Sequence, residues 1–211
     1  MYFCPNWDVE FYNEIKKTSV KNFFLSGTMI QPFKSFIYLD CGSSVENFNE
    51  KKLLNEYKNI PFNDFQGSTW APSLIPRDTW DKVGGFSEEF DPGFGSDPDL
   101  NMKLWNIGVR IFKGLGKSKV YHFGSIVTRK KFKHDKSVIT ESGSKGGKIF
   151  LKKWGFSIKF FTKHYLRGCK TTKFKKILCN KYDGPLKAPR KNISYFFELF
   201  LDKVKLFFLK A

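Results

Sequence analysis

The first part of the chain contains two stretches with the hydrophobic period of a helix and, between them, one apolar run. Apolar residues recur at every fourth position over Trp7–Lys17, so this segment predicts an amphipathic helix. The run over Asn22–Ile30 predicts a strand. Ser43–Lys58 predicts a second helix, with Ser43 or Ser44 as its N-cap. None of these segments contains residues that indicate chemistry.

The middle of the chain contains shorter elements separated by glycine and proline. They are predicted as a strand over Ser68–Pro76, a short helix over Asp78–Val83, a helix over Pro98–Ile107, and strands over Val109–Phe112 and Lys119–Phe123. Glycines at Gly84, Gly85 and Gly108 end the two helices. Strands that alternate with helices predict an α/β fold, with a mixed sheet flanked by helices.

The balance of charge changes abruptly near Thr128. Residues 1–120 contain 14 Lys and Arg and 15 Asp and Glu, whereas residues 121–211 contain 23 and 5. We therefore predict a balanced domain over residues 1–127 and a basic, aromatic-rich helical extension over residues 128–211. The basic part contains no motif of a nucleic-acid reader, so we do not expect nucleic acid as a partner.

Two segments of the basic part, Ile149–Tyr165 and Tyr195–Leu209, mix large apolar side chains with lysine. This mixture is typical of helices that lie in the plane of an anionic membrane surface. The alternative is that both helices pack on the first part of the chain. No uncharged apolar run of about eighteen residues is present, so the sequence predicts no membrane-spanning helix.

The cysteines Cys4, Cys41, Cys169 and Cys179 have neither the spacing nor the histidine neighbours typical of a zinc site. No secretory leader opens the chain. These observations favour reduced thiols and a cytoplasmic protein that attaches peripherally to a membrane.

Asp97 precedes Pro98 at the start of a predicted helix and follows a glycine-rich loop, and this position has two interpretations. An aspartate before a first-turn proline is a common N-cap and needs no further role. A carboxylate in this position is also stabilised in its ionised form by the helix dipole, and it can take a proton from a hydroxyl as a general base.

Four motifs extend the pattern around Asp97: Ala71–Arg77 (APSLIPR), Trp80–Phe86 (WDKVGGF), Phe94–Leu100 (FGSDPDL) and Val120–His122 (VYH). In order and spacing they resemble the acceptor-side half of the family 2 glycosyltransferases, which are inverting enzymes of the GT-A fold. The resemblance covers residues 1–127. It implies a truncated GT-A-like mixed sheet and the transfer of a sugar from a nucleotide-sugar to a hydroxyl of a glycan or lipid-linked acceptor.

The resemblance also implies roles for single residues. Asp97 corresponds to the catalytic base. The residues expected to contact the acceptor are Trp70, Gly95, Ser96 and Asp99, and those expected near the donor diphosphate or its metal, Mg or Mn, are His122 and Arg129. His122 is the one metal ligand that the resemblance suggests in this chain. The alternatives are a structural histidine after a strand and, for Arg129, a solvated loop. Trp80 pairs with Val83 at a helical spacing, which favours ordinary core packing.

Two differences from the family pattern change the activity that we expect of this chain. Ser96 stands where the family usually has a glutamate, so a supporting carboxylate beside the base is missing. The nucleotide-binding half, which ends in a metal-binding Asp-x-Asp motif, is not found before Met1. We therefore expect a piece of a longer protein that transfers little on its own. A second explanation is that the donor half is a separate polypeptide. The alternative is a non-catalytic basic module that binds a membrane or a partner.

Overall fold

The structure is a computed structural model that describes residues 1–33, 37–91, 93–124, 136–171 and 177–210. A mixed sheet of six strands lies at its centre, and helices pack against it. The predicted α/β class is confirmed at this level.

Two long strands form the middle of the sheet, and four short strands extend it. β2 (Phe23–Gln31) and β6 (Ile111–Tyr121) pair in parallel. The short strands are β1 (Tyr2–Phe3), antiparallel to β6; β3 (Ile37–Tyr38), parallel to β2; β4 (Phe65–Gln66), antiparallel to β6; and β5 (Ser73–Leu74), antiparallel to β2. The strand predicted over Ser68–Pro76 is thus reduced to β5.

The two strands predicted over Val109–Phe112 and Lys119–Phe123 are one continuous strand, β6, with an irregular register opposite Ser26 and Thr28. The glycines between the two predicted strands do not interrupt β6. A Cβ on Gly114 would lie 2.0 Å from the Phe65 ring, and one on Gly116 would lie 2.0 Å from the Phe62 carbonyl oxygen. Glycine is required at both positions because Phe65 of β4 and Phe62 of the preceding loop lie directly against the β6 backbone.

The helices of the first part are α1 (Trp7–Lys17), α2 (Glu50–Glu56), α3 (Arg77–Val83) and α4 (Ser96–Asn106). α1 agrees with the prediction at both ends. The predicted cap of α2 at Ser43 or Ser44 is wrong, since Asn49 caps this helix by accepting a hydrogen bond from the Lys52 amide. Gly84 ends α3 in the left-handed conformation, with φ 67°.

The basic part contains α5 (Lys136–Trp154), α6 (Ile158–Phe160), a π-helical turn over Phe161–Tyr165, the strand pair β7 (Lys170–Thr171) and β8 (Ile177–Leu178), and α7 (Ile193–Lys210). One hydrophobic cluster joins Leu100 and Phe112 of the first part to Phe150, Phe160 and Phe161 of the basic part. The change of charge near Thr128 is therefore not a break in packing.

Cys169 and Cys179 form a disulfide that joins the ends of β7 and β8. Our expectation of reduced thiols is wrong for this pair, because the antiparallel pairing of β7 with β8 brings the two residues together. Cys4 and Cys41 are buried free thiols.

None of the helices in the described ranges is long and apolar enough to cross a bilayer.

Candidate active site

Asp97 lies in the first turn of α4 and is not its N-cap. The N-cap is Gly95, whose φ of 90° turns the chain into the helix. The Ser96 hydroxyl donates to the Gly93 carbonyl over 2.7 Å, which closes the turn before the helix. Because backbone and Ser96 complete this turn, the Asp97 carboxylate is not used as a cap.

The Asp97 carboxylate is partly buried, and its burial raises its pKa to about 6. Within the described part of the chain it has no hydrogen-bond or ion-pair partner. The shift is opposite to the effect expected from the helix dipole, so loss of hydration dominates here. A carboxyl group with this pKa is a stronger base than an ordinary aspartate and is still mostly ionised at pH 7.

Asp99 points away from Asp97 into the protein and is 0 % exposed. Its Oδ2 accepts a hydrogen bond from the Ser87 hydroxyl over 2.7 Å, and its Oδ1 accepts one from the Trp154 indole nitrogen over 2.8 Å. The Lys153 ammonium lies 3.0 Å from Oδ1. The expected acceptor contact of Asp99 is therefore corrected: its oxygens are enclosed and saturated, and they attach α4 to α5.

Lys153 and Trp154 are residues of this region that the sequence reasoning missed. Both fall in the segment Ile149–Tyr165, whose pattern predicts a helix on a membrane surface. Lys153 also binds Glu89, over 2.6 Å, so it links two carboxylates of the first part to α5. No local signal in the sequence indicates a contact between residues this far apart.

α5 also covers the loop that leads to Asp97. A Cβ on Gly146 would lie 2.0 Å from the Phe94 carbonyl oxygen, so the helix backbone rests directly on this loop. On its other side, Gly95 packs against the Phe90 ring. The position of Asp97 thus depends on a close contact between α5 and Phe94.

Replacing Gly146 with alanine is expected to lower the free energy of unfolding by about 1–3 kcal/mol, because the new methyl group forces α5 away from Phe94. The adjacent Gly147→Ala is a matched control, since nothing lies within 4 Å of its Cβ position. Alanine there favours the helix by up to about 1 kcal/mol. Urea denaturation of both variants checks the prediction, and equal stabilities would contradict it.

Trp70 lies in a loop that is attached to α4 and β2. The Asn101 amide donates to the Ser68 carbonyl over 3.1 Å, and the Ser68 hydroxyl is hydrogen-bonded to that of Ser26. Asn101 follows Asp97 by four residues and so lies on the same side of α4. Trp70 is partly buried and stacks on Phe65. The backbone two residues before Trp70 therefore contacts α4 one helical turn after Asp97.

Trp80 packs against the main hydrophobic cluster together with Val83, as their spacing predicts.

His122 is held by a hydrogen bond to the end of β2. It follows β6, and its Nδ1 lies 2.8 Å from the Gln31 side-chain amide. A hydrogen bond to one ring nitrogen fixes the orientation of the imidazole. In the described ranges no three His, Cys, Asp or Glu side chains form a group that could hold a metal ion. Arg129 lies outside the described residues.

The site thus combines a basic carboxylate at Asp97, a neighbouring aromatic loop at Trp70 and a buried anchor at Asp99. Comparison of the chain with protein-family models, with curated proteins and with solved structures gave no match. A function is therefore inferred from the sequence motifs and from the geometry of these residues.

Proposed function

We propose that this chain supplies the acceptor side and the catalytic base of an inverting glycosyl transfer from a nucleotide-sugar to a hydroxyl. The observation that carries the proposal is the state of Asp97, a partly buried carboxylate with a pKa of about 6 and no partner in the described part of the chain. A general base is most effective when its pKa lies near the working pH.

In the proposed step, an acceptor hydroxyl lies against the Asp97 carboxylate and gives it its proton. The oxygen attacks the anomeric carbon of the donor as the bond from that carbon to the nucleoside diphosphate breaks, so the configuration inverts. Trp70 offers an aromatic surface for the apolar face of the acceptor sugar. Gly95 and Ser96 form the turn that presents Asp97. A divalent metal, Mg or Mn, is expected for the complete enzyme, and in the described ranges no three His, Cys, Asp or Glu side chains form a group that could hold it.

The proposal predicts a specific dependence of turnover on pH. Below pH 6 Asp97 is protonated and cannot accept a proton, so the rate of nucleoside diphosphate release from a panel of nucleotide-sugars should rise through about pH 6 and level off above it. The assay is run with Mg or Mn and with hydroxyl acceptors. Two proteins are assayed: this chain alone, and a longer protein that includes any sequence encoded before Met1.

The variant Asp78→Asn is the matched control for this assay, because Asp78 is an exposed carboxylate in the first turn of the adjacent helix α3. It should keep both the rate and the pH profile, whereas Asp97→Asn should lose the turnover. Absence of nucleotide-sugar turnover in both forms of the protein would instead support a non-catalytic module that binds a membrane or a partner. Turnover that survives Asp97→Asn would show that Asp97 is not the base.

A further inference from the structure

Helix α7 has the reverse of the usual distribution of side chains, since its apolar face points outward. Phe200 is 62 % exposed and Phe208 is 71 % exposed. Their neighbours on the same face are also exposed and also apolar. We call the set the α7 outward face; it consists of Ile193, Phe196, Phe197, Phe200, Leu201, Val204, Phe207 and Phe208. With about 100° per residue, these positions form one continuous stripe without a charged residue.

The carboxylates of α7 point inward and hold the helix in this orientation. Asp202 is 3 % exposed and accepts a hydrogen bond from the Ser157 amide over 2.7 Å. Glu198 binds Lys163 and lies 3.0 Å from the His164 ring. Rotating α7 to bury its phenylalanines would expose Asp202 and break these contacts. The exposed apolar face is therefore a consequence of the packing of α7.

Lysines border the α7 outward face on both sides. Lys203 and Lys205 are exposed and flank Val204, so they lie at opposite edges of the stripe. Lys205 also pairs with Asp202 over 3.1 Å, and its side chain is still 63 % exposed. Near its C-terminal end the face borders a groove of about 550 Å³ between α5, α6 and α7, in which Phe208 and Leu151 lie with Lys148, Lys159 and Lys205. An apolar surface bordered by ammonium groups complements a lipid, which has an apolar chain and an anionic headgroup.

We propose that the α7 outward face docks this protein in the plane of an anionic lipid bilayer, with its phenylalanines among the acyl chains and Lys203 and Lys205 at the headgroups. The positive charge of the chain favours anionic lipid over a second copy of the chain as the partner of this face. The formal net charge is +17, so two copies joined at lysine-bordered faces would repel each other, whereas anionic lipid neutralises these cations. This inference does not depend on the role of Asp97.

Co-sedimentation of the whole chain with lipid vesicles tests the proposal. Wild-type protein should bind vesicles that contain phosphatidylserine more tightly than vesicles of phosphatidylcholine alone, and salt should weaken the binding. The double variant Phe197→Gln/Phe200→Gln should bind about tenfold or more weakly, because two buried aromatic rings are lost from the bilayer. Lys203→Gln should bind about fivefold more weakly to the anionic vesicles.

Tyr38→Gln is the matched control for the aromatic substitutions, because Tyr38 is 61 % exposed but lies on β3. It should bind like the wild type. Urea denaturation should show that the double variant is folded, since both substituted side chains are exposed.

Two results would overturn the proposal. One is vesicle binding that is absent, or that the double variant leaves unchanged. The other is a dimer in sedimentation equilibrium without lipid that the double variant converts to monomer, since a second copy would then cover the face.

Discussion

Replacing Asp97 with asparagine is expected to raise the free energy of unfolding at pH 7 by about 2 kcal/mol and to lower the proposed sugar transfer at least about a hundredfold. Burial raises the pKa of Asp97 from 3.8 to about 6. As the pH rises from 3.8 to 6, the unfolded chain releases this proton while the folded chain retains it. Stability is therefore lost over this window, and the whole penalty is present at pH 7.

Asparagine does not ionise, so Asp97→Asn removes this penalty together with the base. Urea denaturation at about pH 4 and pH 7 measures the effect: the variant should gain stability over the wild type at pH 7 and little at pH 4. Asp78→Asn, at an exposed carboxylate, should show no such gain at either pH. A variant that is no more stable than the wild type at pH 7 would mean that Asp97 is hydrated and that its environment does not increase its basicity.

Replacing Asp99 with alanine is expected to lower the free energy of unfolding by about 3–5 kcal/mol. The change removes the acceptor for the Ser87 hydroxyl and the Trp154 indole, and it leaves the Lys153 ammonium with Glu89 as its remaining carboxylate partner. Most of the loss comes from the stranded groups and not from the attraction itself. Chemical denaturation measures it directly.

A second substitution tests this explanation of the Asp99→Ala effect. Adding Lys153→Met should restore part of the lost stability, because it removes the partly buried ammonium, and the Glu89 carboxylate that loses this partner is half exposed and can be hydrated. Adding Lys152→Met, at the exposed neighbouring lysine, should restore none. A loss below about 1 kcal/mol for Asp99→Ala would show that Glu89, which also binds Lys153, is the more important partner.

Those features of the fold that depend only on residues close in sequence could be predicted from the sequence. The periodicity of Trp7–Lys17 fixes α1, and Gly84 fixes the end of α3, because both effects act within one or two helical turns. Gly114 and Gly116 misled the prediction of β6, because their requirement comes from contacts with distant residues, Phe65 and Phe62. A glycine required by a close approach cannot be distinguished by sequence from one that ends a strand.

The candidate site shows the same division between local and distant effects. The position of Asp97 at the start of a helix follows from its glycine and proline neighbours, although its cap was misassigned. The opposite environments of Asp97 and Asp99 could not be predicted, since they depend on how α5 packs over α4. The pairing of Cys169 with Cys179 likewise arises from strand pairing and not from a recognisable motif.

The hydrophobic cluster contains residues from both sides of Thr128, and it therefore sets the shortest fragment of this protein that can fold. A chain cut at residue 127 would lose Phe150, Phe160 and Phe161 from its interior, and Asp99 would lose Lys153. The first part of the chain, with the carboxylates near α4, and the lysine-rich helices are thus expected to fold together. Deletion mapping would report loss of the fold wherever it removed the basic part, even if that part took no share in the chemistry.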